Sequence, residues 1–390
     1  MWKNLRARIN APVFLIAFVI GFAACCFAGR DCALHNQFQN FRRFHRLLNA
    51  ETYFYPTMSQ MISMAKESLD SGKKVVIVGG NSVAMGKGQG KDLWTEKLQN
   101  KLGPEYKVLN FAQSLMPPLS GPYIAFLSLT QKYDSVFYVA DSEYCAVNEV
   151  DDPYQGYPYW WDAYYKNLLP PLPSIQQRLD SRLYPTVAKG ALEEYKLGSY
   201  LDSLFYFRDL WTTIGYKSFF TVWTQGTSAN FLTPRRDLPD IDPPVLPVKT
   251  RFYNFNPAID HPRIVSRFNW IYEQVKPNQW RVSENHLNIL EQSMAAQVPA
   301  HLRSRVLLVS VRDNPYYVRR ILSQVEQEQL TKAARLSYRL WRKLGCRALE
   351  AGGDYVDEDF IDDCHLSSSG GAKLMESVAA QVSEMANGVK

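Results

Sequence analysis

With 390 residues, 46% of them hydrophobic, the chain can bury a full core, which excludes a disordered protein and suits one large domain with an insertion or two smaller domains. The formal net charge is +6, but lysine and arginine are scattered rather than gathered into a stripe, so no nucleic-acid partner is expected. The six cysteines include no CxxC pair, so no metal site is expected from them.

Lys3, Arg6 and Arg8 precede the stretch INAPVFLIAFVIGFAACCFAG, which carries no charge until Arg30. About 20 such residues suffice to cross a bilayer as a helix, and the positive flank favours a cytoplasmic N-terminus with the remainder exported, although Arg42, Arg43 and Arg46 weaken that asymmetry. Residues 1–30 are therefore expected to be a membrane anchor or a signal segment. The small residues Ala23, Ala24 and Ala28 would suit a signal peptidase, and Cys25 and Cys26 after GFAA resemble a degraded lipoprotein signal. In an exported domain, Cys32, Cys145, Cys346 and Cys364 would meet an oxidising compartment, where a Cys346–Cys364 bond and buried reduced thiols are the alternatives.

Residues 31–72 carry apolar side chains at helical spacing and end at Gly72, which predicts a helical stalk. The pattern then changes. KKVVIVGG is a short apolar run, LWTEKLQNKLG is amphipathic with a glycine stop, YKVLNFA is a second apolar run and YDSVFYVADSE a third. Residues 73–149 thus read as strand, helix, strand, and point to a mainly parallel sheet with helices on its faces. Residues 150–300 lose the alternation and are rich in proline and aromatic side chains, which predicts a large irregular insertion. Its aromatics would serve either as core filling or as a groove for a carbohydrate or glycolipid. Residues 301–390 resume the order, with SRVLLVSVRDNPYY as a strand and two helices after it, the first closed by Gly345.

The stretch KKVVIVGGNSVAMGKGQGKDLW superficially resembles a phosphate-binding loop. A P-loop needs a glycine five residues before Gly86, where Asn81 stands, and a hydroxyl residue after Lys87, where Gly88 stands. A dinucleotide fingerprint starting at Gly79 likewise meets Asn81 where backbone must approach pyrophosphate. No nucleotide cofactor is expected. What remains is Ser82, which follows a buried strand almost directly and so sits at the carboxyl end of the sheet, where open sheets put their ligands.

A serine hydroxyl is a poor nucleophile until an imidazole takes its proton, and the imidazole needs a carboxylate to fix its tautomer. FIDDCHLSSSGGAKL, near the C-terminus, supplies both: Asp362 lies three residues ahead of His365, with Asp363 as the neighbouring alternative. Gly80, Asn81, Ser82 and Gly86 resemble the first block of the SGNH, or GDSL, hydrolase family, and Asp362-x-x-His365 resembles its last block. The resemblance covers residues 73–147 and 304–390, and implies a three-layer α/β/α, flavodoxin-like domain with Ser82 as nucleophile, His365 as general base and acid, and Asp362 as its orienter.

The family's middle blocks supply donors to an oxyanion, and here they depart from the pattern. The Ser82 amide is the first donor, Ala112 or Leu115 falls where the family has a glycine, and Asp141 and Glu143 stand where it has an asparagine. Gln113 and Asn148 are the neighbouring candidates to replace that side chain. The likeness is nearest to the membrane-anchored envelope branches, DltD-like and alginate-acetylation-like, which imply an esterase or O-acyltransferase acting on an acylated carbohydrate or lipid ester, beside a membrane acyltransferase partner. The alternative expectation is a catalytically degenerate envelope protein of the same fold that binds a glycan or such a partner.

Overall fold

A computed structural model of the chain describes residues 11–34, 58–86, 94–112, 118–119, 121–141, 257–268, 272–276 and 279–388. The strands in chain order are β1 (Lys74–Gly79), β2 (Tyr106–Asn110), β3 (Val136–Asp141), β4 (Tyr272–Lys276), β5 (Gln279–Val282), β6 (Val306–Val311) and β7 (Arg347–Ala351). Five of them form one all-parallel sheet in the order β2-β1-β3-β6-β7, while β4 and β5 pair as a separate antiparallel ribbon. Parallel strands are buried on both faces, which is why β1 and β6 read as nearly continuous apolar runs. Alternate side chains enter opposite layers: Val75 and Ile77 join one core, Val76 and Val78 the other.

The helices are α1 (Ala11–Leu34), α2 (Met58–Asp70), α3 (Ser82–Met85), α4 (Trp94–Leu102), α5 (Gly121–Leu129), α6 (Pro257–Phe268), α7 (Glu284–Gln297), α8 (Pro315–Ile321), α9 (Gln324–Lys343) and α10 (Ser368–Gly388). Met61 of α2, Phe126 of α5 and Trp341 of α9 pack into the core that contains Val75. Leu98 of α4 and Val378 and Val382 of α10 pack into the core on the opposite face. The domain is therefore an α/β fold with helices on both sides of a parallel sheet. Each fully buried aliphatic or aromatic side chain contributes about 1.5–3 kcal/mol relative to exposure, so the two cores dominate the stability of the sheet.

The strand order reverses direction after β1, since β2 lies on one side of it and β3 on the other. In open sheets of this kind the carboxyl ends of the two strands flanking the reversal frame the ligand crevice. Ser82 follows β1, and Asp141 ends β3.

Two sequence expectations change. The segment read as the end of a stalk, Met58–Asp70, is a helix of the domain itself: Met58, Met61 and Ala65 are fully buried against the sheet. The segment read as irregular contains, from Pro257 on, two helices and the β4–β5 ribbon, and Ile264, Met294 and Val298 belong to the main core. Of the two readings left open for Cys346 and Cys364, the structure has free thiols rather than a bond between them. Burial pushes the Cys346 thiol up to about 12, so it is inert.

At the N-terminus α1 runs for 24 residues and exposes Phe14, Ile16, Phe18 and Ile20. Its side chains are described only for residues 12–28, and among the described residues no helix is long and apolar enough to cross a membrane.

Candidate active site

The turn after β1 is shaped by what stands beside it on β3. A side-chain carbon added to Gly79 would fall 2.1 Å from the Tyr138 hydroxyl, and one added to Gly80 would fall 1.9 Å from Asp141 Oδ1. Gly80 also has φ +98°, a backbone state that other residues rarely adopt. The glycine pair thus exists because the chain passes flush against β3 as it turns. Asp141, buried at 7% exposure, accepts a 2.7 Å hydrogen bond from the Asn81 amide and fixes the turn from below.

Asn81 then starts the next element. Its side-chain oxygen accepts from the Val83 amide at 2.9 Å, an N-cap that places Ser82 as the first residue of α3. Asn110 braces α3 from the end of β2, donating to the Ala84 carbonyl and accepting from the Ala112 amide, each at 3.0 Å.

The second half of the site is a loop between β7 and α10. Phe360 and Leu366, both buried, form an antiparallel bridge, and the Ile361 amide donates to the His365 carbonyl at 2.8 Å. The two hydrogen-bonded ends leave a short excursion that carries Asp362 and His365. Asn314, fully buried after β6, clamps it: its amide nitrogen donates to the Asp363 carbonyl, and its side chain to Asp357 and to the Asp362 carbonyl. Behind the loop, Asp359 accepts from the Val356 amide, Ser369 and Lys373. Burial opposes the Asp359 charge, but these donors outweigh it and hold the carboxyl below its ordinary value.

The two halves meet in one continuous relay. Ser82 Oγ lies 2.7 Å from His365 Nε2, and His365 Nδ1 lies 2.7 Å from Asp362 Oδ2. The other carboxylate oxygen, Oδ1, accepts from the amides of His365 at 2.8 Å and Cys364 at 3.1 Å. Burial opposes ionisation of Asp362, yet the His365 side chain and the two amides outweigh it and hold the carboxyl below its ordinary value. Ionised, Asp362 can only accept, so Nδ1 carries the proton and Nε2 presents its lone pair to the Ser82 hydroxyl. A proton can pass from Ser82 to His365 with no heavy atom having to travel.

Of the residues singled out from sequence, Ser82, His365 and Asp362 are brought together, and Asp362 rather than Asp363 faces the imidazole. The Ser82 amide has no hydrogen-bond partner among the described residues, as expected for the first turn of a helix. The Ala112 amide, another donor candidate, is committed to Asn110. Gln113, Leu115, Glu143 and Asn148 lie outside the described residues. Three positioning residues were not expected: Asn110, Asp141 and Asn314. The signal available for the first two is a polar residue closing a buried apolar strand.

Among the described residues, one group of metal-ligating side chains lies close together: Asp362, Cys364 and His365, whose ligand atoms are within 4.8 Å of one another. Comparison with known proteins adds nothing to this geometry, because no family model and no curated protein matches the chain.

Proposed function

We propose that the protein is a serine esterase or O-acyltransferase of the SGNH type, working through Ser82, His365 and Asp362. The observation that carries the reading is the uninterrupted relay of two 2.7 Å contacts at the carboxyl end of the parallel sheet. In the proposed reaction His365 Nε2 takes the Ser82 proton as Oγ attacks an ester carbonyl. The cation that forms is stabilised by Asp362. The carbonyl oxygen becomes negative and is met by the Ser82 amide, and such a donor contributes on the order of 2.7–4 kcal/mol to lowering a barrier of this kind. Collapse then breaks the bond to the leaving alcohol, which takes the proton back from His365. The acyl-enzyme is released by the reverse sequence, with water or a second hydroxyl in the alcohol's place.

The substrate class we propose is an acylated glycan or lipid ester of the cell envelope, and the domain is held outside the cytoplasm by α1. The support for attachment is the uncharged apolar segment with Lys3, Arg6 and Arg8 before it, and the exposure of its side chains.

The test is intact-mass analysis of the full chain, kept soluble with a non-ionic detergent, after exposure to a fluorophosphonate. One adduct is expected on the native protein and none on Ser82→Ala or His365→Ala. An adduct that persists in folded Ser82→Ala would remove Ser82 from the role of nucleophile.

A further inference from the structure

Cys364 takes no part in the proton relay, yet it stands against it. Its Sγ lies 3.7 Å from His365 Nδ1, and the Asp362 carboxylate lies on the same nitrogen at 2.7 Å. The three ligand atoms, a thiol sulfur, an imidazole nitrogen and a carboxylate oxygen, are all within 4.8 Å of one another. Tetrahedral zinc, with bonds of about 2.0–2.3 Å, requires ligand atoms spaced by roughly 3.3–3.6 Å. The sulfur-to-nitrogen spacing of 3.7 Å is within about 0.1 Å of that range, the nitrogen-to-oxygen spacing must open from 2.7 Å by about 0.6 Å, and the sulfur-to-oxygen edge lies within 4.8 Å. Asp362, Cys364 and His365 are partly exposed, so an ion has access from solvent.

We propose that Asp362, Cys364 and His365 form an inhibitory site for a thiophilic divalent cation such as Zn²⁺. The binding claim stands on geometry alone, and only its consequence for turnover rests on the serine-hydrolase reading. A cation that takes the Nδ1 lone pair leaves the neutral imidazole with its one proton on Nε2, while the Cys364 thiol gives its proton to solvent. Nε2 then faces Ser82 as a donor with no lone pair to offer, and Asp362 is drawn away as a ligand. Ser82 keeps its neighbour but loses the group that accepts its proton. Three protein ligands leave a fourth position for water, which suits a reversible ion rather than a permanent structural one. Soft thiolate with imidazole favours Zn²⁺ over Mg²⁺ or Ca²⁺, whose preferred ligands are all oxygen.

The experiment uses the full chain in detergent, with Cys364→Ala and Cys364→Ser beside it. Co²⁺ is added as a spectroscopic substitute, and fluorophosphonate labelling is timed with and without Zn²⁺. A thiolate-to-cobalt charge-transfer band in the native protein, absent from both variants, is expected. Zn²⁺ should slow labelling of the native protein at least tenfold, reversibly with a chelator, and leave labelling of Cys364→Ala unchanged. A folded native protein whose cobalt spectrum does not depend on Cys364 would overturn the site. So would equal inhibition by Zn²⁺ in the variants. The band together with no labelling at all, with or without metal, would sustain the metal site and sink the hydrolase reading instead.

Discussion

The two loops that meet at the site are fixed in opposite ways. The serine turn is held by what it lacks: Gly79 and Gly80 have no side chains, so the chain lies flush against Tyr138 and Asp141 of β3. The histidine loop is held by what it has, namely the buried amide of Asn314, the carboxylate of Asp359 with its three donors, and a bridge between two buried apolar residues. One loop is therefore broken by adding atoms and the other by removing them. A short turn joined directly to a strand needs few contacts to define it. A loop far from any strand end needs a network.

Adding one carbon should have the largest effect. Gly80→Ala combines strain at φ +98° with overlap on Asp141, and is expected to cost about 3 kcal/mol and to abolish fluorophosphonate labelling. Urea titration of the variant checks the first figure, and an unchanged midpoint would show that the turn has slack. Removing atoms from the other loop comes next. Asn314→Ala leaves the amides of Tyr316 and Tyr317 without their acceptor and the Asp362 carbonyl without one donor, at an expected cost of about 2 kcal/mol by the same titration. Labelling should slow but persist, because the relay atoms remain.

Acid should act more gently, and through the histidine loop. Asp359 and Asp362 are held below their ordinary carboxyl value when folded, so the unfolded chain binds more protons than the folded one once the pH drops below about 4. Their stabilisation is complete above that pH and is lost as the pH falls through the native values. Asp359→Asn should flatten the acid limb of a plot of urea midpoint against pH, and an unaltered limb would show that the network around Asp359 contributes nothing to folding.

Much of the sheet was legible because parallel strands buried on both faces announce themselves as apolar runs, as in β1, β3 and β6. β7 was not, since four of its five residues are only partly buried and RALEA carries no such run. α5 is almost entirely buried, so GPYIAFLSL shows no polar face and no helical period to read. α2 was legible as a helix but not as part of the core, because periodicity reveals a buried face and never its partner. The proline at 262 inside α6 concealed regular structure in a segment that otherwise looked irregular. At the site, the position of Ser82 after β1 and the resemblance of two short blocks to those of a known family brought out Ser82, Asp362 and His365. Asn110, Asp141 and Asn314 act through contacts between segments distant in the chain, and a single sequence does not record those contacts.

Ser82 and His365 are separated by 283 positions, and the helix that follows His365 must pack on α4 to set its loop. A ribosome at work exposes the serine turn long before the base exists. Until the last strand and helix have emerged and docked, Ser82 has no imidazole beside it. The contact between the two side chains is thus among the last of the sheet's contacts to form during synthesis, because β7 and the loop before α10 follow the other four strands in the chain.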